Sequence, residues 1–197
     1  LVYGGANMTL SATDVEMSVD AFIGADFVVA QLEVPFEAIE QAFKIARKQN
    51  ITTVLNPAPA IELPKSLLEL TDIIIPNETE AELLTGISIN NESDMKETAT
   101  YFLDLGISAV LITLGEQGTY CAYQEQYKMI PACNVKAIDT TAAGDTFIGA
   151  FLSELNKDLS NLESAIRLAN QASSLTVQRK GAQASIPTRK EVEAEYN

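Results

Sequence analysis

Two carboxylates bracket a run of small residues in Asp139-Thr140-Thr141-Ala142-Ala143-Gly144-Asp145. Thr146 and Phe147 follow, and Ala150, Phe151 and Leu155 continue an apolar stripe at helical spacing. A strand end, a small-residue turn and a helix start would aim several backbone N–H groups at one point. There the helix dipole favours an anion, phosphate above all. Gly144 and the two alanines leave the backbone open to close approach. Asp145 falls in the first helical turn, where a carboxylate can take a proton from an attacking hydroxyl. Read in isolation, Asp145 is equally a good first-turn acid and Asp139 an ordinary turn residue.

Composition narrows the chemistry. The 197 residues are 47% apolar, enough for a sizeable core in one large domain. A net charge of −14 argues against a nucleic-acid or anionic-membrane surface. Phosphate binding must therefore come from local N–H groups and metal. There is no histidine, which removes Ser-His-Asp and Cys-His catalysis and leaves carboxylate, Lys, Tyr or Cys as general base. Cys121 and Cys133 are too few for a metal knuckle or a disulfide framework and read as reduced thiols of a cytoplasmic protein. No run is long enough to span a membrane. The chain opens abruptly at Leu1 without Met or a cap, which leads us to expect a piece of a longer chain.

The elements that must position these residues alternate. Leu1–Asn7 reads as a short strand and Asp14–Val19 as a short helix. Phe27–Leu32 is a buried strand ending at Glu33, which is either a ligand group or an acid near the next helix start. Pro35 opens a helix with Phe36, Ile39, Phe43 and Ala46 as its stripe. Thr52–Leu55 is a strand ending in the stiff turn Asn56-Pro57-Ala58-Pro59-Ala60. A helix over Lys65–Leu70 and the strand Asp72–Ile75 lead to Pro76-Asn77-Glu78-Thr79-Glu80, where Asn77 and Glu80 have capping-box spacing. Three acids in that one turn (Glu78, Glu80, Glu82) exceed what capping needs. Ser93 begins a helix that stops at Gly106, and Ala109–Thr113 is a strand. Thr113-Leu114-Gly115-Glu116-Gln117-Gly118 reads by itself as a turn. Tyr120–Tyr123 and Tyr127–Ile130 are paired short strands. Ser160 and Glu163 form a capping box for a long helix, with Leu162, Ala165, Ile166, Ala169, Ala172 and Leu175 buried. Asn170 in this helix is either solvated or a ligand contact, and Arg179 and Lys180 suit the helix C-terminus. Thr188–Tyr196 is a final short helix. The alternation predicts an α/β fold, a mostly parallel sheet with helices on both faces.

Four of these stretches resemble, in order, the ribokinase family of sugar and nucleoside kinases, also called PfkB. They are Asn56-Pro57-Ala58-Pro59-Ala60, Pro76-Asn77-Glu78-Thr79-Glu80-Ala81-Glu82, Thr113-Leu114-Gly115-Glu116-Gln117-Gly118 and Asp139-Thr140-Thr141-Ala142-Ala143-Gly144-Asp145-Thr146-Phe147. The last string is the most specific. The resemblance implies a ribokinase-like fold and transfer of the ATP γ-phosphoryl group to a sugar, the 5-hydroxyl of D-ribose first among them. By it, Asp145 is the base, and the N–H groups of Ala142, Ala143, Gly144 and Asp145 form an anion hole. Glu33, Asp139 and Asp145 face the sugar. Asn77, Thr113, Gly115, Gly118, Gly144 and Asn170 face the nucleotide. Asn77 and Glu80 hold Mg²⁺, partly through water. Carbonyls of Thr141, Thr176, Arg179 and Gly181, with the side chains of Ser185 and Asp139, surround K⁺. It also implies that an N-terminal part with the sugar pocket and its lid is absent, leaving an exposed sheet edge and apolar surface. Members of this family often form homodimers through that lid. A different sugar or nucleoside kinase of the family, or a truncated nucleotide-binding module without catalysis, are the competing readings.

Overall fold

A computed structural model describes residues 4–196. Its centre is a six-stranded sheet in the order β1 to β6. The strands are β1 (Phe27–Gln31), β2 (Thr52–Asn56), β3 (Ile73–Ile74), β4 (Ala109–Thr113), β5 (Gly118–Tyr123) and β6 (Gln126–Pro131). The first four run parallel, in registers that pair Phe27 with Thr52, Val54 with Ile73 and Ile73 with Ala109. Gln124 and Glu125 both have positive φ and form the two-residue turn between β5 and β6. Such a turn returns a strand antiparallel to its neighbour, so the sheet is mixed but mostly parallel, as the alternation predicts.

Strands rich in β-branched residues fill the middle. Thr53, Val54 and Leu55, like Ala109, Val110, Leu111 and Ile112, are wholly buried. Consecutive strand residues point to opposite faces, so both faces of the sheet are covered there. β1 differs. Among the described residues it pairs only with β2, and Val29 is 43% exposed. The expected exposed edge is thus present.

The helices are α1 (Ala12–Met17), α2 (Phe36–Lys48), α3 (Lys65–Glu69), α4 (Glu78–Thr85), α5 (Glu92–Asp104), α6 (Ala143–Glu154), α7 (Leu162–Thr176) and α8 (Arg189–Tyr196). α2 packs on β1 and β2 through Ala38, Ile39, Phe43 and Ala46, and α5 packs on β4. None of the described helices is long and apolar enough to cross a membrane.

Four sequence expectations are corrected by local hydrogen bonding. Gly5–Thr9 is a turn of 3₁₀ helix instead of strand, and Leu1, Val2 and Tyr3 lie outside the described residues. α1 starts two residues earlier than expected, because Ser11 and Asp14 form a full capping box. α5 is capped by Asn91, whose Oδ1 accepts the N–H groups of Ser93 and Asp94. Ser160 does not cap α7. Its hydroxyl accepts from Asn156, its N–H donates to Asp158, and α7 begins at Leu162 after Asn161.

The chain forms two compact units, Leu1–Thr113 with Tyr120–Lys128, and Leu114–Thr119 with Met129–Asn197. The first holds β1–β4 and α1–α5. The second holds α6, α7 and α8, with α6 packed along α7.

Candidate active site

In the first unit the carboxyl ends of the parallel strands are tied by side-chain amides. Gln31 donates to Asn56 Oδ1 (3.2 Å), and Asn56 donates onward to the Ile75 carbonyl (2.7 Å). The Leu32 N–H donates to the Ala58 carbonyl (2.8 Å), which fixes the 56–60 turn beside the end of β1. Glu33 follows directly and is exposed.

Asn77 caps α4, and the expected capping box is complete. Asn77 Oδ1 accepts the Glu80 N–H (2.9 Å), while Glu80 accepts the Asn77 N–H (2.8 Å) and its side-chain amide (2.8 Å). Glu80 is only 4% exposed. Burial pushes its carboxyl above the usual range, against the opposing pull of the Asn77 hydrogen bonds. Thr113 stands next to Asn77 in a parallel bridge, its N–H on the Pro76 carbonyl (2.9 Å). Asn77, Glu80 and Thr113 are thus brought together. No group of three or more acidic, His or Cys side chains among the described residues could enclose a metal. Hard oxygens two at a time suit Mg²⁺ that keeps its waters and takes phosphate oxygens, so the pair fits that ion through water.

In the second unit the carboxylate-flanked turn precedes α6. Ala142 sits at φ +62, ψ +11, left-handed for a residue with a Cβ, at a cost of roughly 1–2 kcal/mol. That twist starts α6 at Ala143 and puts Gly144 and Asp145, both exposed, in its first turn. Of the four expected anion-hole donors, the Ala143 N–H is turned onto the Thr140 carbonyl (3.2 Å). Those of Gly144 and Asp145 belong to the first turn of α6.

Asp139 joins this turn to a second loop. Its Oδ1 accepts the Thr141 N–H (3.0 Å) and its Oδ2 accepts the Gly181 N–H (3.0 Å). The Gly181 bond first, and the Thr141 bonds next, hold its carboxyl down at about 2. Ser185 is fully buried and donates to the Ala182 carbonyl (2.6 Å). The Thr176 carbonyl already accepts the Arg179 N–H (3.0 Å), and the Arg179 guanidinium pairs with Glu191 on α8 (2.8 Å). Asp139, Thr141 and Gly181 are thus brought together around one full negative charge, and a carboxylate with neighbouring backbone oxygens is the kind of ligand a hard cation takes.

α7 supplies contacts that sequence reading missed. Ser173 donates to the Ala143 carbonyl (3.0 Å), and Thr176 donates to the Thr146 hydroxyl (3.1 Å). The Val177 carbonyl accepts from both Ile138 and Asp139. The only available signal was polar residues on a face otherwise read as Ala and Leu. Asn170 is 6% exposed, which rules out a solvated helix residue. Gly118 has φ +111 and stands against Ile130–Ala132.

Comparison with known proteins gives the same arrangement a lineage. Residues 1–189 match the model of the pfkB family carbohydrate kinases. The chain is 64% identical over 191 residues to a ribokinase of Staphylococcus aureus, covering 97% of this chain and 63% of that protein. It is 52% identical over 191 residues to a bifunctional ribokinase/ribose-5-phosphate isomerase A of Fructilactobacillus sanfranciscensis, covering 97% of this chain and 35% of that one. The Arabidopsis thaliana ribokinase structure complexed with ribose and ATP superposes with a TM-score of 0.88 at 32% identity, covering 98% of this chain and 63% of the other. The chain therefore spans under two thirds of each of these three relatives. Since the matched stretch includes every residue of the Asp139–Asp145 turn and the α4 cap, this chain belongs to the pfkB family of carbohydrate kinases.

Proposed function

We propose that this chain carries the nucleotide-binding part and the catalytic base of a cytoplasmic, ATP-dependent kinase for the 5-hydroxyl of D-ribose. The observation that carries the reading is the turn before α6, where a left-handed Ala142 presents Asp145 and the Gly144 N–H in one exposed helical turn. The relatives of highest identity and the ribose–ATP complex support the choice of sugar. Two free thiols support a reducing compartment.

Phosphoryl transfer asks a protein for positioning and charge stabilisation and for little covalent chemistry. Asp145 takes the proton of the sugar 5-hydroxyl as that oxygen bonds the γ-phosphorus. The bond from the γ-phosphorus to the bridging oxygen breaks with its electron pair, and ADP leaves. The N–H groups of Gly144 and Asp145 receive the charge that develops on the transferring oxygens. The Asn77–Glu80 pair would hold Mg²⁺ through water, and bound Mg²⁺ supplies neutralisation of phosphate charge. The loops closed by Asp139 would hold K⁺, which supplies a fixed positive charge when bound. Glu33 accepts a hydrogen bond from a sugar hydroxyl.

The test is ADP release by the 197-residue chain with ATP, Mg²⁺, K⁺ and a panel of ribose, deoxyribose, fructose and adenosine. Any ribose-dependent turnover is expected to fall roughly 10²–10⁴-fold in Asp145→Asn, with nucleotide affinity retained. Turnover in the mutant comparable to wild type removes Asp145 from the role of base. A faster rate on another sugar overturns the assignment of ribose. ATP binding without turnover on any of the four leaves this chain a binding module and not a catalyst.

A further inference from the structure

Asn170 has no donor left for a ligand. Its Nδ2 donates both hydrogens within the protein, to the carbonyls of Ile130 (3.1 Å) and Pro131 (3.2 Å). Its Oδ1 accepts the Thr119 hydroxyl (2.9 Å), and Thr119 is fully buried. Carbonyls can only accept, so the two strand-end oxygens dictate which end of the amide faces them. Asn170 itself is 6% exposed.

What it grips is one junction. The Leu114 N–H donates to the Gly118 carbonyl (2.8 Å), and the Ala132 N–H reaches the Gln117 carbonyl (3.4 Å). A Cβ on Gly118 would lie 2.2 Å from the Ile130 oxygen and 2.5 Å from the Ala132 nitrogen. The loop Leu114–Thr119 therefore lies directly on Ile130–Ala132, and Asn170 reaches from α7 to both. One turn further along the same helix, Ser173 grips the Ala143 carbonyl in the turn that presents Asp145.

We propose that Asn170 is a positioning residue for the nucleotide. It sets the place of the Leu114–Thr119 loop relative to the Asp145 turn, through α7, and has no side-chain N–H left to give the nucleotide. This rests on the reading of the chain as an ATP-dependent kinase.

The experiment compares Thr119→Val, Thr119→Ser, Asn170→Ala and the Thr119→Val/Asn170→Ala double variant. Affinity for ATP with Mg²⁺ is read by calorimetry, and hydrogen exchange is read at the 115–118 amides. Thr119 is buried and cannot touch a ligand, so it reports only the clamp. Thr119→Val and Asn170→Ala are each expected to weaken ATP binding by roughly five- to tenfold and to speed exchange in the loop. The double variant is expected to be no worse than Asn170→Ala, because the two side chains share one bond. Thr119→Ser, which keeps the hydroxyl, is expected to bind like wild type. Unchanged affinity in Thr119→Val beside a large loss in Asn170→Ala overturns the proposal in favour of a direct contact. Unchanged affinity in both, with lower stability alone, reduces Asn170 to a structural residue. Should Asn170→Ala fail to fold, the Val and Ser variants at Thr119 decide. Failure of the wild-type chain to bind ATP sinks the kinase reading and this proposal together, whereas wild-type binding with a silent Thr119→Val sinks the proposal only.

Discussion

Asp139 shows how one side chain is used twice. Its two oxygens close the turn at Thr141 and capture the loop at Gly181, and those N–H groups hold its carboxyl down at about 2 against an ordinary 3.8. The unfolded chain takes up this proton near 3.8 and the folded one only near 2. Between those values the unfolded state binds more protons, so the contribution of Asp139 is present above about pH 4 and is lost as pH falls towards 2. Glu80 has the opposite sign. Its raised carboxyl takes its proton first in the folded state, so its contribution is present below about 4.5 and fades as pH rises. A bare pH profile would mix the two. The gap in urea-unfolding free energy between wild type and Asp139→Asn isolates the first. That gap should be constant from about pH 7 to pH 5 and narrow below about 4. A gap that stays flat down to about pH 3 would mean that the two N–H bonds do not form in solution.

Among the elements, the loop between β4 and β5 and the helix α7 act as a pair, and two glycines of that loop separate space from conformation. Gly115 (φ +54) has open space where a Cβ would go, while Gly118 (φ +111) meets backbone at 2.2 Å. Gly115→Ala should therefore cost about 1 kcal/mol, the left-handed penalty alone. Gly118→Ala adds a clash that only backbone movement relieves, and should cost about 3 kcal/mol or more. Urea unfolding of the two variants measures the difference. Equal losses would mean that the loop lifts off Ile130–Ala132 at little cost. Most elements were legible in the sequence because their signals are local. β-Branched runs marked β2 and β4, Asn77 and Glu80 marked the start of α4, and Pro35 marked α2. The capping errors were local too, since Asn91 outcompeted Ser93, and Ser160 spent its hydroxyl on Asn156. What could not be read was pairing at long range. Nothing in the spacing of Asn170, Ser173 and Thr176 says that their partners are Thr119, Ala143 and Thr146. The last two contacts exist only once α7 has packed along α6.

For the molecule as a whole, the division into two units was equally illegible, because Leu114–Thr119 joins the later residues while the chain on either side joins the earlier ones. Periodicity reports which face of an element is buried and not which unit it joins. Net charge, by contrast, is read directly and has a consequence for binding. With 27 acidic and 13 basic residues, the protein carries −14, so its field repels the polyphosphate of the proposed substrate. Attraction at the α6 start acts within the first helical turn, whereas repulsion from the surface acts over the screening length, roughly 30 Å at 0.01 M salt and 8 Å at 0.15 M. Added salt should therefore remove more repulsion than attraction. Raising choline chloride from about 0.01 to 0.2 M, with Mg²⁺ constant, should tighten the apparent Kd for ATP by roughly two- to fivefold. A phosphate site built on a basic patch would loosen over the same range. Choline is too large to stand in for K⁺ at the proposed cation site, so any additional tightening in potassium chloride at equal ionic strength tests that proposal separately. Loosening in choline would show that cationic side chains, and not the backbone of the Ala142–Asp145 turn, hold the phosphates.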